Sequence, residues 1–298
     1  MRALVIGASG QVGAALTARL RARGHVVVGT HSRVPQPDTR SLDLTDADAT
    51  ARLIDDVGAD WVFCPAGMTL VDYCEEHPDE AFRVNRDAPA SAARTAAARA
   101  AGFVYYSTEY VFDGVAGPYA EEDPVRPLSV YGASKLEGER AVQAANPRTV
   151  VVRTTVVYGP EPQGKNTVYQ LLRRLRAGEP MRVPADQVTS PTYNVDLAAA
   201  SVELVEHGAS GVFHVAGETV IDRYAFALHA GKVFELDTGL LEPATTVALA
   251  QRAARPLNAG LRVQRVRELV TTPLRGPAEG LPAMRAALAA RASVAPAG

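Results

Sequence analysis

Three short stretches carry residues able to do chemistry together: Gly7 to Gly13, Ser107-Thr108, and Tyr131-Gly132-Ala133-Ser134-Lys135. Tyr131 and Lys135 are four apart, which on a helix puts both on one face, one turn from each other. A free tyrosine titrates near pH 10 and is a reluctant acid or base at neutrality. A lysine ammonium within about 4–6 Å favours the phenolate, so the pair predicts a Tyr131 phenol acidified into useful range. Thr108 adds a hydroxyl that would hold a reacting oxygen against that phenol. The same spacing also describes an ordinary solvated helix face. Composition shifts the balance: in a chain that otherwise uses arginine, the only lysines are Lys135, Lys165 and Lys232. A compact ammonium, not a planar fork, is what the pair needs.

These side chains must be held by a frame, and the chain shows one. Ala3 to Ile6 reads as a short buried strand, followed by glycines at 7, 10 and 13 and then by an amphipathic helix from Ala14. A strand, a tight glycine turn and a helix start make an anion site, since the helix amides face the ligand and the glycines let backbone approach it. Gly7, Ser9, Gly10, Gln11, Val12 and Gly13 are therefore candidate cofactor contacts. The second strand, 26–29, ends in Thr30-His31-Ser32-Arg33. No Asp or Glu stands there to take ribose hydroxyls, and His31, Ser32 and Arg33 suit a 2′-phosphate, which favours NADP. Asp43 and Leu44 are expected near the adenine. The strand 61–64 ends in Pro65, Ala66 and Gly67, small residues along which a cofactor could lie.

Residues 78–101 read as one long alanine-rich helix opened by a proline. The strand 103–106 then delivers Ser107-Thr108 at its carboxyl end, where open parallel sheets bind ligands. Another apolar strand covers 149–153. A proline- and glycine-rich loop, 159–165, marks a domain crossing. Helices follow at 168–176 and 196–206, with a last sheet strand at 212–215. Strands alternating with helices give a doubly wound (Rossmann) α/β fold with a mostly parallel sheet and a smaller, mainly C-terminal substrate-binding domain. The expected division is 1–158 with 192–216 for the NADP-binding domain, and 159–191 with 217–298 for the substrate domain.

Composition narrows the functional classes. At 298 residues with a net charge of −2, the chain has no basic excess of the kind nucleic-acid binding needs. No apolar run approaches the roughly 18 residues that span a bilayer. Two cysteines, Cys64 and Cys74, read as free thiols of a cytoplasmic protein. The six histidines show no ligand-like spacing, so no metal is expected.

With these residues in view, the chain resembles the extended short-chain dehydrogenase/reductase superfamily, and within it the dTDP-4-dehydrorhamnose reductases and their relatives. The resemblance spans nearly the whole length. It rests on the three-residue glycine spacing, on Ser-Thr-Glu-Tyr-Val-Phe-Asp-Gly (107–114) and on Tyr-Gly-Ala-Ser-Lys-Leu-Glu-Gly-Glu (131–139). Asp186-Gln187 with Ser-Pro-Thr-Tyr (190–193), and Arg255-Pro256 with Asn258, add to it. The resemblance implies that Tyr131 is the proton donor, that Lys135 binds the nicotinamide ribose and tunes Tyr131, and that Thr108 holds the substrate oxygen. NADP(H) would serve a keto group on a nucleotide-activated sugar. Thr69, Thr108, Glu109, Asn166, Gln187, Thr192 and Arg255 are the implied substrate contacts. Three departures stand out. Glu109 replaces the reductases' usual Asp, Pro65 to Thr69 replaces an Asn-Ala-Ala-Ala-Tyr-Thr run, and 156–160 lacks a tryptophan. Two other functions remain open: a nucleotide-sugar epimerase, and a non-catalytic NADP-binding subunit like the β subunit of methionine adenosyltransferase. A homodimer is left open as well. Dehydration is disfavoured, because Thr108 is followed by Glu109-Tyr110 and not by a carboxylate pair.

Overall fold

The computed structural model describes residues 1–294. Its first strand is β1 (Arg2–Val5), followed by α1 (Gln11–Ala22), β2 (Val26–His31), β3 (Thr39–Ser41), α2 (Ala47–Val57) and β4 (Trp61–Cys64). Next come α3 (Val71–Glu76), α4 (Pro78–Phe82), a π turn (Arg83–Asp87), α5 (Ala88–Ala98), β5 (Gly102–Thr108) and α6 (Val130–Ala145). The chain continues through β6 (Thr149–Thr154), β7 (Val157–Tyr158), α7 (Thr167–Arg176), β8 (Met181–Pro184), β9 (Val188–Thr189) and β10 (Thr192–Tyr193). It closes with α8 (Asn194–Glu206), β11 (Gly211–His214), β12 (Ile221–Asp222), α9 (Arg223–Val233), β13 (Leu241–Ala244), α10 (Gln264–Arg267) and α11 (Pro277–Val294).

Seven strands form one sheet in the order β11-β6-β5-β4-β1-β2-β3, and every pair in it is parallel. The central strands β1, β4 and β5 are mainly apolar because both faces are covered, as parallel sheets require, whereas the edge strand β3 is polar and largely exposed. Alternation along each strand sorts the side chains. Ala3, Val5, Trp61, Phe63, Val104 and Tyr106 share one core with Leu16 and Leu20 of α1 and Leu197 of α8. Leu4, Ile6, Val62, Cys64, Phe103 and Tyr105 share the other with Leu53 and Ile54 of α2, Ala92 of α5 and Val142 of α6. Tyr105 therefore points to the face where α6 lies. A third core joins Leu171 and Leu175 of α7, Phe226 of α9 and Met284 of α11, beside the small β13-β8 sheet.

The expected helix runs without a gap over 78–98, three residues short of the expected end, and carries a π turn at 83–87 that includes Asn85, a feature found at functional positions. Helix α6 is fixed at its start by two caps. Ser129 Oγ accepts from Gly132 N at 3.2 Å, and Glu75 of α3 accepts from Val130 N at 2.7 Å. It also sits unusually close to its neighbours. A Cβ on Gly132 would lie 2.2 Å from the Tyr110 carbonyl, and one on Gly138 would lie 2.3 Å from the Asn85 carbonyl. Glycine costs a helix about 1 kcal/mol relative to alanine; here that cost brings Tyr131 and Lys135 against the ends of the sheet. A buried ion pair holds the far side, with Arg153 of β6 bonded to Glu139 of α6 at 2.8 Å.

Candidate active site

The site gathers where β5 ends and α6 begins. Strand β5 is buried along its whole length and presents Thr108 at its carboxyl end. Tyr131 is buried in a small apolar pocket with Cys74 and Ala81, against Met68, Val71 and Tyr110, and its ring meets Tyr110 edge-on at 5.4 Å. Lys135 is also buried, and its Nζ lies 4.0 Å from the centroid of the Tyr105 ring, a cation–π contact. Gly67 comes next to it: a Cβ there would be 3.7 Å from that Nζ. Thr108, Tyr131, Lys135 and Gly67 are thus brought together.

The electrostatics differ from the sequence expectation. Lys135 was expected to acidify Tyr131. Instead the phenol is held well above its ordinary value, first by burial and then by the nearby Glu109 carboxyl, with a Thr108 hydrogen bond pulling weakly the other way. Burial also pulls Lys135 down to about 8. The physical reason is that a dry pocket disfavours both charged forms, and the ammonium faces the Tyr105 ring. Tyr131 is therefore a neutral phenol throughout the neutral range. That is the form that gives up a proton.

Asn85 was missed by the sequence reading and is central to the geometry. It is fully buried, its Oδ1 accepts from Met68 N at 2.9 Å, and its Nδ2 donates to Ser134 Oγ at 3.0 Å and to Met68 O at 3.0 Å. Tyr105 Oη donates to its carbonyl at 2.6 Å. One side chain so ties the 65–68 turn to α6. A buried amide inside an alanine-rich helix was the available signal.

The glycine loop fits a dinucleotide. Gly10 caps α1 without a capping side chain, and the first turn holds no acidic residue, so its amides are left for an anion. A Cβ on Gly13 would be 2.1 Å from the Gly7 carbonyl, whereas one on Gly10 meets nothing closer than 3.5 Å, leaving room on the outer side. Gln11 Oε1 and Ser107 Oγ are buried without a protein partner, which also suits a ligand. Ser9 is buried, and Val12 packs partly against the core. Two later segments lean on this loop. Gln163 Nε2 donates to Ser9 O at 2.9 Å, and Asn194 Nδ2 donates to Gln11 O at 3.2 Å. At the end of β2, Ser32 and Arg33 are exposed, and Arg33 makes no ion pair among the described residues. His31 Nδ1 is engaged with Thr39 Oγ1 at 2.7 Å, which joins β2 to β3. Asp43 lies nearby with its carboxyl held low by Thr45 hydrogen bonds, with Arg83 and Arg33 adding their charges. Leu44 is buried beneath it, and Pro65 and Ala66 are half-buried.

The expected substrate contacts divide. Glu109 is buried, shares a hydrogen bond with Thr108 Oγ1 at 2.8 Å, and accepts from Thr155 Oγ1 at 2.7 Å. Gln187 lines the same crevice beside Glu109, Tyr110, Thr189 and Arg223, and its amide donates to Thr246 and Gln251 of the loop above. Thr69 is exposed. Asn166 is spent within the protein: it caps α7 through Oδ1 and donates to Gly159 O at 2.9 Å. Thr192 donates to Ser190 O at 3.0 Å and is buried. Arg255 pairs with Asp72 of α3 at 3.0 Å, and Arg252 pairs with Glu76 at 2.6 Å, so the 245–263 loop is clasped to α3. Thr155, Thr189 and Arg223 were not foreseen. They come from three separate segments that only the fold unites.

A doubly wound sheet with this glycine loop, and a Tyr-x-x-x-Lys helix set beside a threonine at a strand end, defines an extended short-chain dehydrogenase/reductase. Comparison with known proteins carries this further. The model of the family described as the RmlD substrate binding domain matches residues 1–290, and the chain belongs to that family. The dTDP-4-dehydrorhamnose reductase of Mycolicibacterium smegmatis is 36% identical over 284 residues, covering 94% of this chain and 84% of the relative. The probable low-salt glycan biosynthesis reductase of Haloferax volcanii is 36% identical over 273 residues, covering 89% of this chain and 91% of its own. Among solved structures, the Bacillus anthracis dTDP-4-dehydrorhamnose reductase in complex with NADP superposes with a TM-score of 0.89 at 26% identity, covering 96% of this chain and 99% of that one. The two free cysteines are both buried. Among the described residues no group of three or more His, Cys, Asp or Glu is placed to hold a metal ion, and no helix is long and apolar enough to cross a membrane.

Proposed function

We propose that this protein is an NADPH-dependent reductase acting on a keto group of a nucleotide-activated sugar, as its reductase relatives do. The observation that carries the proposal is the meeting of Thr108, Tyr131 and Lys135 in one buried spot at the carboxyl end of β5. NADPH, when bound, supplies the hydride that the keto carbon takes up. The α1 amides and Arg33 would hold its phosphates, and Lys135 would hold the ribose. Thr108 orients the carbonyl oxygen, and Tyr131 gives that oxygen a proton as it becomes a hydroxyl. The neutral state of Tyr131 means that the form able to donate a proton is the populated one. We assign residues 1–158 and 192–216 to holding the cofactor and the remainder to the substrate, a division supported by the third core around α7, α9 and α11. Tyr158 and Tyr193 reach into that core, and Leu261, Val263, Val266 and Leu274 pack back on the sheet.

An epimerase would recycle its cofactor, and a regulatory subunit would bind NADPH without turning it over. Incubation with NADPH and dTDP-4-dehydrorhamnose, alongside a panel of other nucleotide keto-sugars, separates the three. A reductase oxidises one NADPH for each sugar reduced. Epimerised sugar without net NADPH loss, or tight NADPH binding with no turnover on any member of the panel, would overturn the proposal.

A further inference from the structure

The catalytic threonine is coupled to a carboxyl group whose surroundings are unusual. Glu109 is 6% exposed, and among the described residues it has no ion pair. Its side-chain partners are two hydroxyls, and its own backbone amide is the one further hydrogen-bond donor toward it. Oε1 accepts from Thr155 Oγ1 at 2.7 Å, and Oε2 lies 2.8 Å from Thr108 Oγ1. Thr155 is itself in close hydrogen-bond contact with Thr189 of β9. Arg223, at the start of α9, lines the same crevice and its charge reaches the carboxyl, with no hydrogen bond or ion pair between them among the described residues. The other ionisable groups facing it are the phenols of Tyr110 and Tyr131. Two neutral hydroxyls are poor compensation for a carboxylate taken out of water. Burial accordingly raises the carboxyl above its ordinary value, outweighing the Thr155 and Thr108 hydrogen bonds, the residue's own backbone amide and the charge of Arg223.

The proton count at Thr108 then has a consequence. Its hydroxyl has one proton to donate and two lone pairs to accept with. Tyr110 N donates into one lone pair at 3.2 Å. If Glu109 were ionised, Thr108 would have to donate to it, turning its only proton away from the substrate. If Glu109 is a neutral acid, Oε1 still accepts from Thr155, and the proton on Oε2 fills the second lone pair of Thr108. Both lone pairs are then occupied, and the Thr108 proton is free only toward the Tyr131 side.

We propose that Glu109 is a positioning residue that works as a neutral carboxylic acid, forcing Thr108 to act as a hydrogen-bond donor to the substrate's keto oxygen. The oxygen on which negative charge develops then faces two donors, Tyr131 and Thr108, set in place before hydride arrives. This inference rests on the reductase assignment, and it makes Thr155 and Thr189 part of the same chain of hydroxyls.

Two measurements test it. Infrared difference spectra of the wild type against Glu109→Gln at pH 7 report the carboxyl directly and need no turnover. A protonated-acid carbonyl band is expected, and carboxylate bands in its place overturn the proposal. In steady-state kinetics, Glu109→Leu is expected to lower kcat about 30-fold while KM for the sugar changes less than about threefold. Glu109→Gln, which keeps a donor toward Thr108, is expected to recover most of that loss. In a Thr108→Val background the Leu substitution should cost nothing further, because the hydroxyl it orients is gone. A Gln variant as slow as Leu, or a Leu cost that persists without Thr108, overturns it. Should the wild type reduce no keto-sugar, the reductase assignment fails, and the infrared band still decides the state of Glu109.

Discussion

Lys135 is expected to cost the fold stability, and replacing it with methionine should show how much. The side chain is 5% exposed, and burial lowers its ammonium from 10.5 to about 8. That difference corresponds to about 3 kcal/mol spent in keeping the buried ammonium charged, at about 1.4 kcal/mol per tenfold change. The sign follows from linkage. Below pH 8 the amine is charged in folded and unfolded chains alike, so the full penalty applies. Between pH 8 and about 10.5 the unfolded chain binds more protons than the folded one, and stability rises with pH. Above that range both states are neutral and the penalty is gone. Methionine has a similar unbranched length and fills the same space, while the lost contact with the Tyr105 ring returns roughly 1 kcal/mol. Without cofactor at pH 7, Lys135→Met is therefore expected to be more stable than the wild type by about 1–3 kcal/mol in denaturant titrations. The gap should shrink to under about 1 kcal/mol by pH 10, since the group that titrates is absent from the variant. Taking the difference between the two proteins cancels the titrating groups that do not interact with Lys135, leaving only its coupling to Cys64, Cys74 and Glu139. A variant less stable than the wild type at pH 7, or a gap that does not narrow with pH, would show that the buried ammonium carries no such penalty. The same variant should lose both NADPH affinity and turnover.

Other expectations follow from single contacts. Arg33→Ala should weaken NADPH binding at least about tenfold, roughly 1.4 kcal/mol, and change NADH binding less than threefold; titration with the two cofactors checks this, and equal effects remove the 2′-phosphate assignment. Arg153→Ala leaves Glu139 buried and unpaired, so about 3–5 kcal/mol of stability should be lost. Denaturation of the single variant and of Arg153→Ala with Glu139→Ala checks it, the double variant costing less than the sum of the two singles.

Much of the fold was legible because its signals are local. A buried parallel strand reads as an apolar run, and the glycines at 7, 10 and 13 mark a turn whose crowding is intrinsic: the Gly13 position has no room for a Cβ beside the Gly7 carbonyl. Thr108, Tyr131 and Lys135 could be picked out because strand-end position and helical spacing are both local features. What could not be read was how the pocket treats charge. Whether lysine acidifies tyrosine depends on the solvent around both, and the packing of α3 and the Tyr105 ring dries the site enough for burial to win. The π turn escaped notice because residues 78–101 have helical composition throughout; only the tertiary partners of Asn85, Met68 and Ser134, explain the wider turn. Asn166, Thr192 and Arg255 resemble substrate contacts by motif; their contacts within the protein, loop hydrogen bonds for the first two and an ion pair to α3 for the third, could not be read from the sequence. The hydroxyl chain through Thr155 and Thr189 joins segments 34 residues apart, a pairing that no periodicity announces.

The central claim is that the neutral, buried phenol of Tyr131 gives its proton to the sugar oxygen as NADPH is consumed. Single-turnover oxidation of bound NADPH by the keto-sugar, compared between wild type and Tyr131→Phe, tests it most directly. The variant's rate is expected to be lower by about 10²–10⁴-fold, the usual worth of a positioned proton donor, with NADPH affinity changed less than threefold. A Phe variant that oxidises NADPH within threefold of the wild-type rate would contradict it.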